Sequence, residues 1–100
     1  MAAIYHVTTK GEWEEAKRKG VYESPSLATE GFIHCSALEQ VAGVRERYFK
    51  DQADLIVLTI DTERLQHPLR FELAPSVGEE FPHLYGPLNL DAVVDEVEVI

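Results

Sequence analysis

Two histidines, His6 and His34, lie at matching places in this chain, each on a predicted strand that leads into a predicted helix. Alternate residues of a strand share a face, so Thr8 projects with His6 and Ser36 projects with His34. The first turn of a helix carries unpaired N–H groups and binds anions readily. The pattern therefore predicts a pocket in which two imidazoles and two hydroxyls surround an anionic ligand.

The same residues have a structural alternative. Segments 9–12 and 36–39 both have the capping-box spacing, in which a hydroxyl precedes a glutamate by three residues. A helix cap of this kind contributes about 1 kcal/mol. A neighbouring helix N-terminus disfavours a protonated imidazole, so both histidines are expected to be neutral. Cys35 faces away from His34 by strand alternation, which argues against a nucleophile–base pair.

A third histidine, His83, lies in the segment 81–87, where aromatic residues alternate with two prolines and a glycine. We expect this segment to form a wall of the ligand pocket, with His83 and Tyr85 in contact with the ligand. The alternative is an edge strand whose prolines block further pairing. Glu72 lies opposite Phe71 by alternation, so it is inert if Phe71 is in the core and a candidate acid or ribose-binding group otherwise.

A metal centre is the competing interpretation of the histidines. His6, His34 and His83 would converge as three ligands with an open position, as in catalytic zinc sites. Their sequence spacing matches no zinc motif such as His-Glu-x-x-His. The chain also contains no glycine-rich phosphate loop, no Gly-x-Ser-x-Gly elbow and no Cys-x-x-Cys pair.

The elements that would position these residues are two main helices and five or six strands. Hydrophobic spacing and turn residues predict strands near 3–8, 31–35, 54–60, 69–73, 84–88 and 93–100, helices after Thr9 and Ser36, and loops at 21–30 and 74–80. The apolar run at 54–60 predicts a central strand covered on both sides. Several connections are too short for parallel crossovers. The prediction is a single α+β domain over residues 1–100 with a mostly antiparallel sheet, whole or split.

Composition limits the classes of partner. The formal net charge is -9, whereas proteins that grip a nucleic-acid backbone usually present a basic face. A large RNA or DNA partner is therefore disfavoured. No apolar run approaches the ~20 residues of a membrane span, and the N-terminal residues lack the pattern of a signal peptide. The single cysteine adds to the expectation of a cytoplasmic protein that binds a small nucleotide-like ligand, of open oligomeric state.

These motifs together resemble a known family. The combination of 4–8, Trp13, Gly20, 26–27, 31–36, Gln40 and 81–87 resembles the domain of unknown function 952 family of small bacterial and plant proteins, over nearly the whole chain. That family has no established activity.

A more distant resemblance suggests a chemistry. The order Tyr-His-x-Thr, Trp, Gly and then His-x-Ser is similar to the NAD-binding half of ADP-ribosyltransferase-like folds, nearest the RNA 2'-phosphotransferases. The resemblance implies NAD as cofactor, with His6 and Thr8 at the ribose and His34 and Ser36 at the phosphates. It implies that Tyr85 stacks on the nicotinamide.

The resemblance also implies catalytic roles for His34 and Glu72. Cleavage of the nicotinamide–ribose bond develops positive charge, which a glutamate would stabilise. The chain departs from the pattern at two points: Val7 stands where the phosphotransferases have glycine, and Glu72 precedes Tyr85 instead of following it. The hypotheses are thus an ADP-ribosyl or glycosyl transferase, a non-catalytic module for an anionic metabolite or protein partner, and a histidine-dependent metal hydrolase.

Overall fold

The computed structural model describes residues 2–99, which form an α+β fold of antiparallel sheets. The strands are β1 (Ala3–Thr9), β2 (Val21–Tyr22), β3 (Ile33–His34), β4 (Leu55–Asp61), β5 (Leu69–Ala74), β6 (Glu79–Leu84), β7 (Leu88–Asn89) and β8 (Val93–Val99). The α-helices are α1 (Lys10–Lys19), α2 (Pro25–Glu30) and α3 (Val41–Tyr48), with short 3-10 turns at Leu38–Gln40, Thr62–Arg64 and Leu90–Ala92.

The described strands form three sheets, so the predicted antiparallel sheet is split. Their orders are β1-β4-β8, β2-β7 and β3-β6-β5, and every pairing is antiparallel. An isolated bridge between Tyr5 of β1 and Ser36, two residues after β3, connects the first sheet to the third. As predicted, β4 is central in its sheet and largely buried. The last residue of the predicted C-terminal strand, Ile100, lies outside the described residues.

Helix α1 forms where the sequence predicts it. The Thr9 hydroxyl accepts a hydrogen bond from the Glu12 N–H at 3.2 Å, and Trp13 and Ala16 are buried on one face. Gly20 ends the helix with φ 87°, a left-handed conformation that glycine adopts without strain. The Glu12 side chain does not complete the capping box, because it accepts a hydrogen bond from the Thr8 hydroxyl at 2.9 Å.

The second predicted helix differs in its start and its packing. Ser36 is not the cap: Ala37 precedes the 3-10 turn, and the Gln40 side chain accepts a hydrogen bond from the Ala37 N–H at 2.9 Å. The proposed apolar face of this helix is also wrong, since no described residue of α3 is buried and Tyr48 is 60% exposed. Val44, Tyr48 and the following Phe49 line an open cleft instead of packing into the core.

One predicted loop and the edge-strand alternative are corrected, whereas the predicted loop at 74–80 is largely confirmed. The segment 21–30 contains β2 and α2, with Pro25 at the start of the helix, a position that proline tolerates. Segment 74–80 is mostly the tight connection of the β5–β6 hairpin. β6 is the middle strand of its sheet, although it contains Pro82. Pro82 pairs with Phe71 on one side, and its carbonyl accepts from the Cys35 N–H at 2.9 Å on the other.

The core joins the three sheets around β4 and β6. Its largest fully buried side chains include Tyr22, Ile33, Leu58, Ile60, Leu84 and Leu88. Short strands β2 and β3 thus each place one side chain, Tyr22 and Ile33, in the core. Within the described residues, no helix is both long and apolar enough to cross a bilayer.

Candidate functional site

A cleft of about 720 Å³ opens between β1, β3, α3 and the turn of the β5–β6 hairpin. Its lining is mainly apolar, and four of the predicted site residues contribute to it: His6, His34, Ser36 and His83. This size lies within the ~300–1,000 Å³ typical of small-molecule sites. A neighbouring depression of about 550 Å³ is lined by Glu12, Glu15 and Glu23, which makes it a poorer place for an anion.

His34 and His83 form an imidazole pair at the base of this cleft. They are direct partners in the antiparallel register of β3 and β6, so their side chains lie on the same face of the sheet. Their ring centres are 5.1 Å apart in an edge-to-face arrangement. Phe32 completes the group: its ring stacks on His83 at 4.1 Å and 16° and meets His34 at 4.9 Å.

Glu72 holds the His83 ring from behind. The distance from His83 Nδ1 to Glu72 Oε1 is 2.8 Å. A carboxylate accepts only, so Nδ1 carries the proton in the neutral ring and Nε2 keeps its lone pair. Because His83 lines the cleft and Nδ1 faces Glu72, Nε2 is the ring nitrogen available to a ligand. Within residues 2–99, Nε2 has no hydrogen-bond partner.

Glu72 is itself held by Tyr85. The Tyr85 hydroxyl donates to the same Glu72 oxygen that His83 uses, and the Arg70 guanidinium lies 5.4 Å from the centre of the Tyr85 ring. The hydrogen bond from Tyr85, followed by that from His83, lowers the pKa of Glu72, while the bond to Glu72 raises the pKa of Tyr85. Glu72 is therefore ionised at neutral pH.

The condition under which Glu72 would be inert, a Phe71 side chain in the core, is not met. Phe71 is 58% exposed, so the Phe71 side of β5 is not in the core and the Glu72 side faces the site. Glu72 and Tyr85 do not belong to the described lining of the cleft. Glu72 contacts the cleft residue His83, and Tyr85 contacts the cleft residue Phe32, whose ring centre lies 5.2 Å from that of Tyr85.

His34 is the more exposed member of the pair. About half of its side chain is exposed, and its Nε2 lies 3.0 Å from a Glu30 carboxylate oxygen. Glu30 is the last residue of α2, and it also lines the cleft. Each imidazole of the pair thus has its own carboxylate partner, Glu30 for His34 and Glu72 for His83.

His6 is buried behind this pair, and both of its ring nitrogens bind protein groups. Nδ1 lies 2.5 Å from the carbonyl oxygen of His34, and Nε2 lies 2.8 Å from the Tyr22 hydroxyl. Burial lowers the pKa of His6 to about 4, against the opposing effect of the His34 carbonyl. In the neutral ring, Nδ1–H donates to the carbonyl and Nε2 is an acceptor; the Tyr22 hydroxyl beside it has one proton, which it gives to Nε2 or to Thr8 Oγ1. His6 therefore holds β3 in place and offers no free nitrogen to a ligand.

The predicted hydroxyls differ in their availability. Thr8 is 1% exposed, and its oxygen contacts Glu12 and, at 3.1 Å, the Tyr22 hydroxyl. Thr8 thus belongs to the support of His6 and not to the described cleft wall. Ser36 lines the cleft, and its backbone is fixed by hydrogen bonds of 2.8 Å and 2.7 Å to Tyr5. Its hydroxyl makes no side-chain hydrogen bond within the described part of the chain.

The structure brings no metal centre together. His6 bonds to Tyr22 and the His34 carbonyl, so the three histidines do not converge as zinc ligands. Residues 2–99 contain no group of three or more His, Cys, Asp or Glu side chains that fits a metal ion. Cys35 is buried, and burial raises the pKa of its thiol to about 12, so the thiol is protonated and unreactive.

Sequence reasoning missed Tyr22 and Glu30 and gave no role to Phe32. Tyr22 lies in a segment that carries turn residues and was predicted to be a loop, and its contact with His6 spans 16 positions. Strand alternation does place Phe32 on the face of His34, which was the available signal. Glu30 precedes His34 by four residues, but no helix was predicted to bring it there.

Comparison with known proteins identifies the family of this chain and solved structures with the same fold. The sequence model of the family described as "Protein of unknown function (DUF952)" matches residues 7–96. No curated protein matches the chain.

Solved structures of a bacterial relative are similar throughout. The crystal structure of protein CC0527 from Caulobacter crescentus has a TM-score of 0.89 and 36% identity, and the match covers 99% of this chain and 87% of that one. The solution NMR structure of CC0527 gives 0.83 and 37%, with 99% and 85% covered.

Proposed function

The chain belongs to the DUF952 family of proteins of unknown function, and we propose that its cleft binds NAD or a related nucleotide. The observation that carries the proposal is the His34–His83 pair, with Phe32 stacked against it, at the base of a cleft of about 720 Å³. An aromatic ring offers a stacking surface for a base. In the neutral tautomers that face Glu72 and Glu30, His83 Nε2 and His34 Nδ1 can accept hydrogen bonds from ribose hydroxyls, and the Ser36 hydroxyl can donate to a ribose or phosphate oxygen.

The charge of the protein favours NAD over a polyphosphate. The chain has a formal net charge of -9, and Glu12 and Glu30 both line the cleft. A polyphosphate would meet strong repulsion there. NAD carries less net charge, because its cationic nicotinamide offsets part of the charge on the pyrophosphate.

The reaction class that fits this ligand is ADP-ribosyl transfer. In that reaction the nicotinamide–ribose bond breaks, its electron pair leaves with nicotinamide, and an acceptor adds to the ribose carbon. The resemblance to ADP-ribosyltransferase-like folds supports this chemistry. His34 and His83 are the cleft residues able to move a proton in it.

A non-catalytic nucleotide-binding module is the second candidate. The observation that favours it is the position of Glu72, which bonds to Tyr85 and His83 and does not belong to the described lining of the cleft. A glutamate held in this way cannot lie directly against a developing positive charge on the ribose. Binding without turnover would identify this candidate.

The first prediction concerns NAD binding. Titration of NAD into the purified protein is expected to shift backbone amide signals of 32–37 and of His83 in NMR spectra. His34→Ala is expected to weaken binding at least about tenfold, which corresponds to about 1.4 kcal/mol, because it removes half of the imidazole pair.

His67→Ala is the matched control, since His67 is exposed and lies outside the described cleft lining. It is expected to bind NAD as the wild type does. An absence of shifts at millimolar NAD, or equal weakening by both substitutions, would contradict nucleotide binding in this cleft.

A further inference from the structure

We infer that His83 is the general base of this cleft and that the acceptor it activates is a hydroxyl group, either of water or of an alcohol. This inference rests on the proposed function and adds the chemical class of the acceptor. It also assigns Glu72 as a positioning residue that acts through His83.

The hydrogen bond to Glu72 is the first ground. The 2.8 Å contact between His83 Nδ1 and Glu72 Oε1 fixes the neutral tautomer that has a lone pair on Nε2. After Nε2 is protonated, Nδ1–H still donates its hydrogen bond to the same carboxylate. The negative charge of Glu72 therefore stabilises the imidazolium that forms. A base oriented by a third group in this way is a recurrent arrangement in nucleophilic catalysis.

The packing of the ring is the second ground. Phe32 lies flat on one face of His83 at 4.1 Å and 16°, and the edge-to-face contact with His34 restricts the ring further. His83 is only 8% exposed, yet it lines the cleft. Its orientation is therefore set before a ligand enters, as a proton acceptor requires.

Three charged groups lie near His83: Glu72, Arg70 and, beyond His34, Glu30. Glu72 bonds to His83 Nδ1, and Glu30 bonds to His34 Nε2. Arg70 is the direct partner of His83 in the β5–β6 register, and its guanidinium lies over the Tyr85 ring. Tyr85 donates to Glu72, which keeps that carboxylate ionised and able to accept from the ring.

The step that this geometry fits is attack on the ribose carbon by an O–H group. The C–N bond to nicotinamide breaks, and its electron pair leaves with nicotinamide. A C–O bond forms to the acceptor oxygen, and the acceptor proton moves to His83 Nε2. Carboxylate and fully ionised phosphate acceptors have no proton to give, so a positioned base indicates an acceptor that carries one, and water or an alcohol is the simplest such group.

The test measures nicotinamide release from NAD in water and, separately, with azide as the added nucleophile. Water must lose a proton as it attacks, whereas the azide anion has none to lose. In His83→Gln, release in water is expected to fall about 100-fold or more, the range usual for loss of a general base. With azide as the nucleophile, the rate of nicotinamide release by His83→Gln is expected to return toward the wild-type rate.

Glu72→Gln separates positioning from folding. The glutamine side chain retains an oxygen that accepts a hydrogen bond from Nδ1–H. It lacks the negative charge that stabilises the imidazolium. We expect a smaller loss of release in water, about tenfold, an unchanged Kd for NAD, and recovery with azide. His67→Ala is the control and is expected to retain the wild-type rate.

Three results would overturn the inference. They are wild-type hydrolysis in His83→Gln, an equal loss of release with water and azide in a variant that still binds NAD, and NAD binding by the wild type without nicotinamide release in either nucleophile. In each of these the nucleotide-binding proposal survives. A wild-type protein that does not bind NAD would instead overturn the proposed function and this inference with it.

Discussion

His6 connects β1 to the strand that carries His34. Its Nδ1–H donates to the His34 carbonyl, and its Nε2 is an acceptor beside the Tyr22 hydroxyl. Both bonds can exist together in the neutral ring, since one nitrogen is a donor and the other an acceptor. Protonation would give Nε2 a proton that competes with that of Tyr22. The buried imidazole is therefore a structural residue whose charge state matters to the cleft.

The second prediction follows from this burial. The pKa of His6 is lowered from 6.5 to about 4 in the folded protein. The unfolded chain therefore binds more protons between these values, and stability present above pH 6.5 is lost as the pH falls toward 4. Between pH 7 and pH 4.5, this linkage reduces the free energy of unfolding by roughly 2–3 kcal/mol.

Urea unfolding at both pH values checks this prediction against His6→Gln, which keeps a hydrogen-bonding side chain but does not titrate. The wild type is expected to lose roughly 2–3 kcal/mol more than the variant between the two pH values. Parallel losses in the two proteins would show that His6 is not the group responsible.

At the scale of the element, the β3–β6 pairing decides which histidines meet. Only Ile33 and His34 of β3 pair with β6, and they pair with Leu84 and His83. A one-residue shift of β3 against β6 would turn the His34 imidazole away from the face that carries His83, because side chains alternate. Ile33 and Leu84 favour the observed register, since they are direct partners and both are fully buried. The site therefore depends on two apolar residues that never touch a ligand.

The third prediction concerns helix α1, which ends at Gly20. Gly20 has φ 87°, so Gly20→Ala is expected to cost about 1 kcal/mol even though a Cβ would meet open space. Gly11 is the matched control: it lies inside the helix, and its Cβ would also meet nothing within 4 Å. Gly11→Ala is expected to stabilise the protein by about 0.5–1 kcal/mol.

Thermal unfolding of the two variants gives the comparison. Opposite signs are expected for the same change in side chain, because only the backbone conformation differs. Stabilisation by both substitutions would show that the left-handed turn at Gly20 is not maintained in solution.

At the scale of the whole molecule, the excess of negative charge affects the stability of the folded state. The chain carries 18 acidic and 9 basic residues. Several of the basic residues already form exposed ion pairs, among them Lys10–Glu98, Lys17–Glu14 and Lys19–Glu23. Such pairs contribute about 1 kcal/mol at most. The remaining carboxylates repel one another across the surface, which destabilises the folded state.

The fourth prediction is that salt stabilises this protein. Raising NaCl from low to moderate concentration screens the repulsion and shortens the Debye length. The free energy of unfolding in urea is expected to rise by about 1 kcal/mol, the scale of the exposed interactions that are screened. A fall in stability with salt would mean that the ion pairs outweigh the repulsion.

The sequence by itself determined features that depend on neighbouring residues. Strand alternation separates His34 from Cys35, and the structure confirms that one is exposed and the other buried. The cap at Thr9, the left-handed turn at Gly20 and the buried strand β4 were likewise readable, because short-range spacing specifies each of them.

Only the tertiary structure decided which side chains form the site. His34 meets His83 through a pairing between strands far apart in the chain, and Glu72 orients His83 across the β5–β6 hairpin. His6 lines the cleft but offers it no free nitrogen, because Tyr22 and the His34 carbonyl take both, and Val44 and Tyr48 of α3 line the cleft instead of the core. Register between distant strands depends on which residues are buried together, and local periodicity does not contain that information.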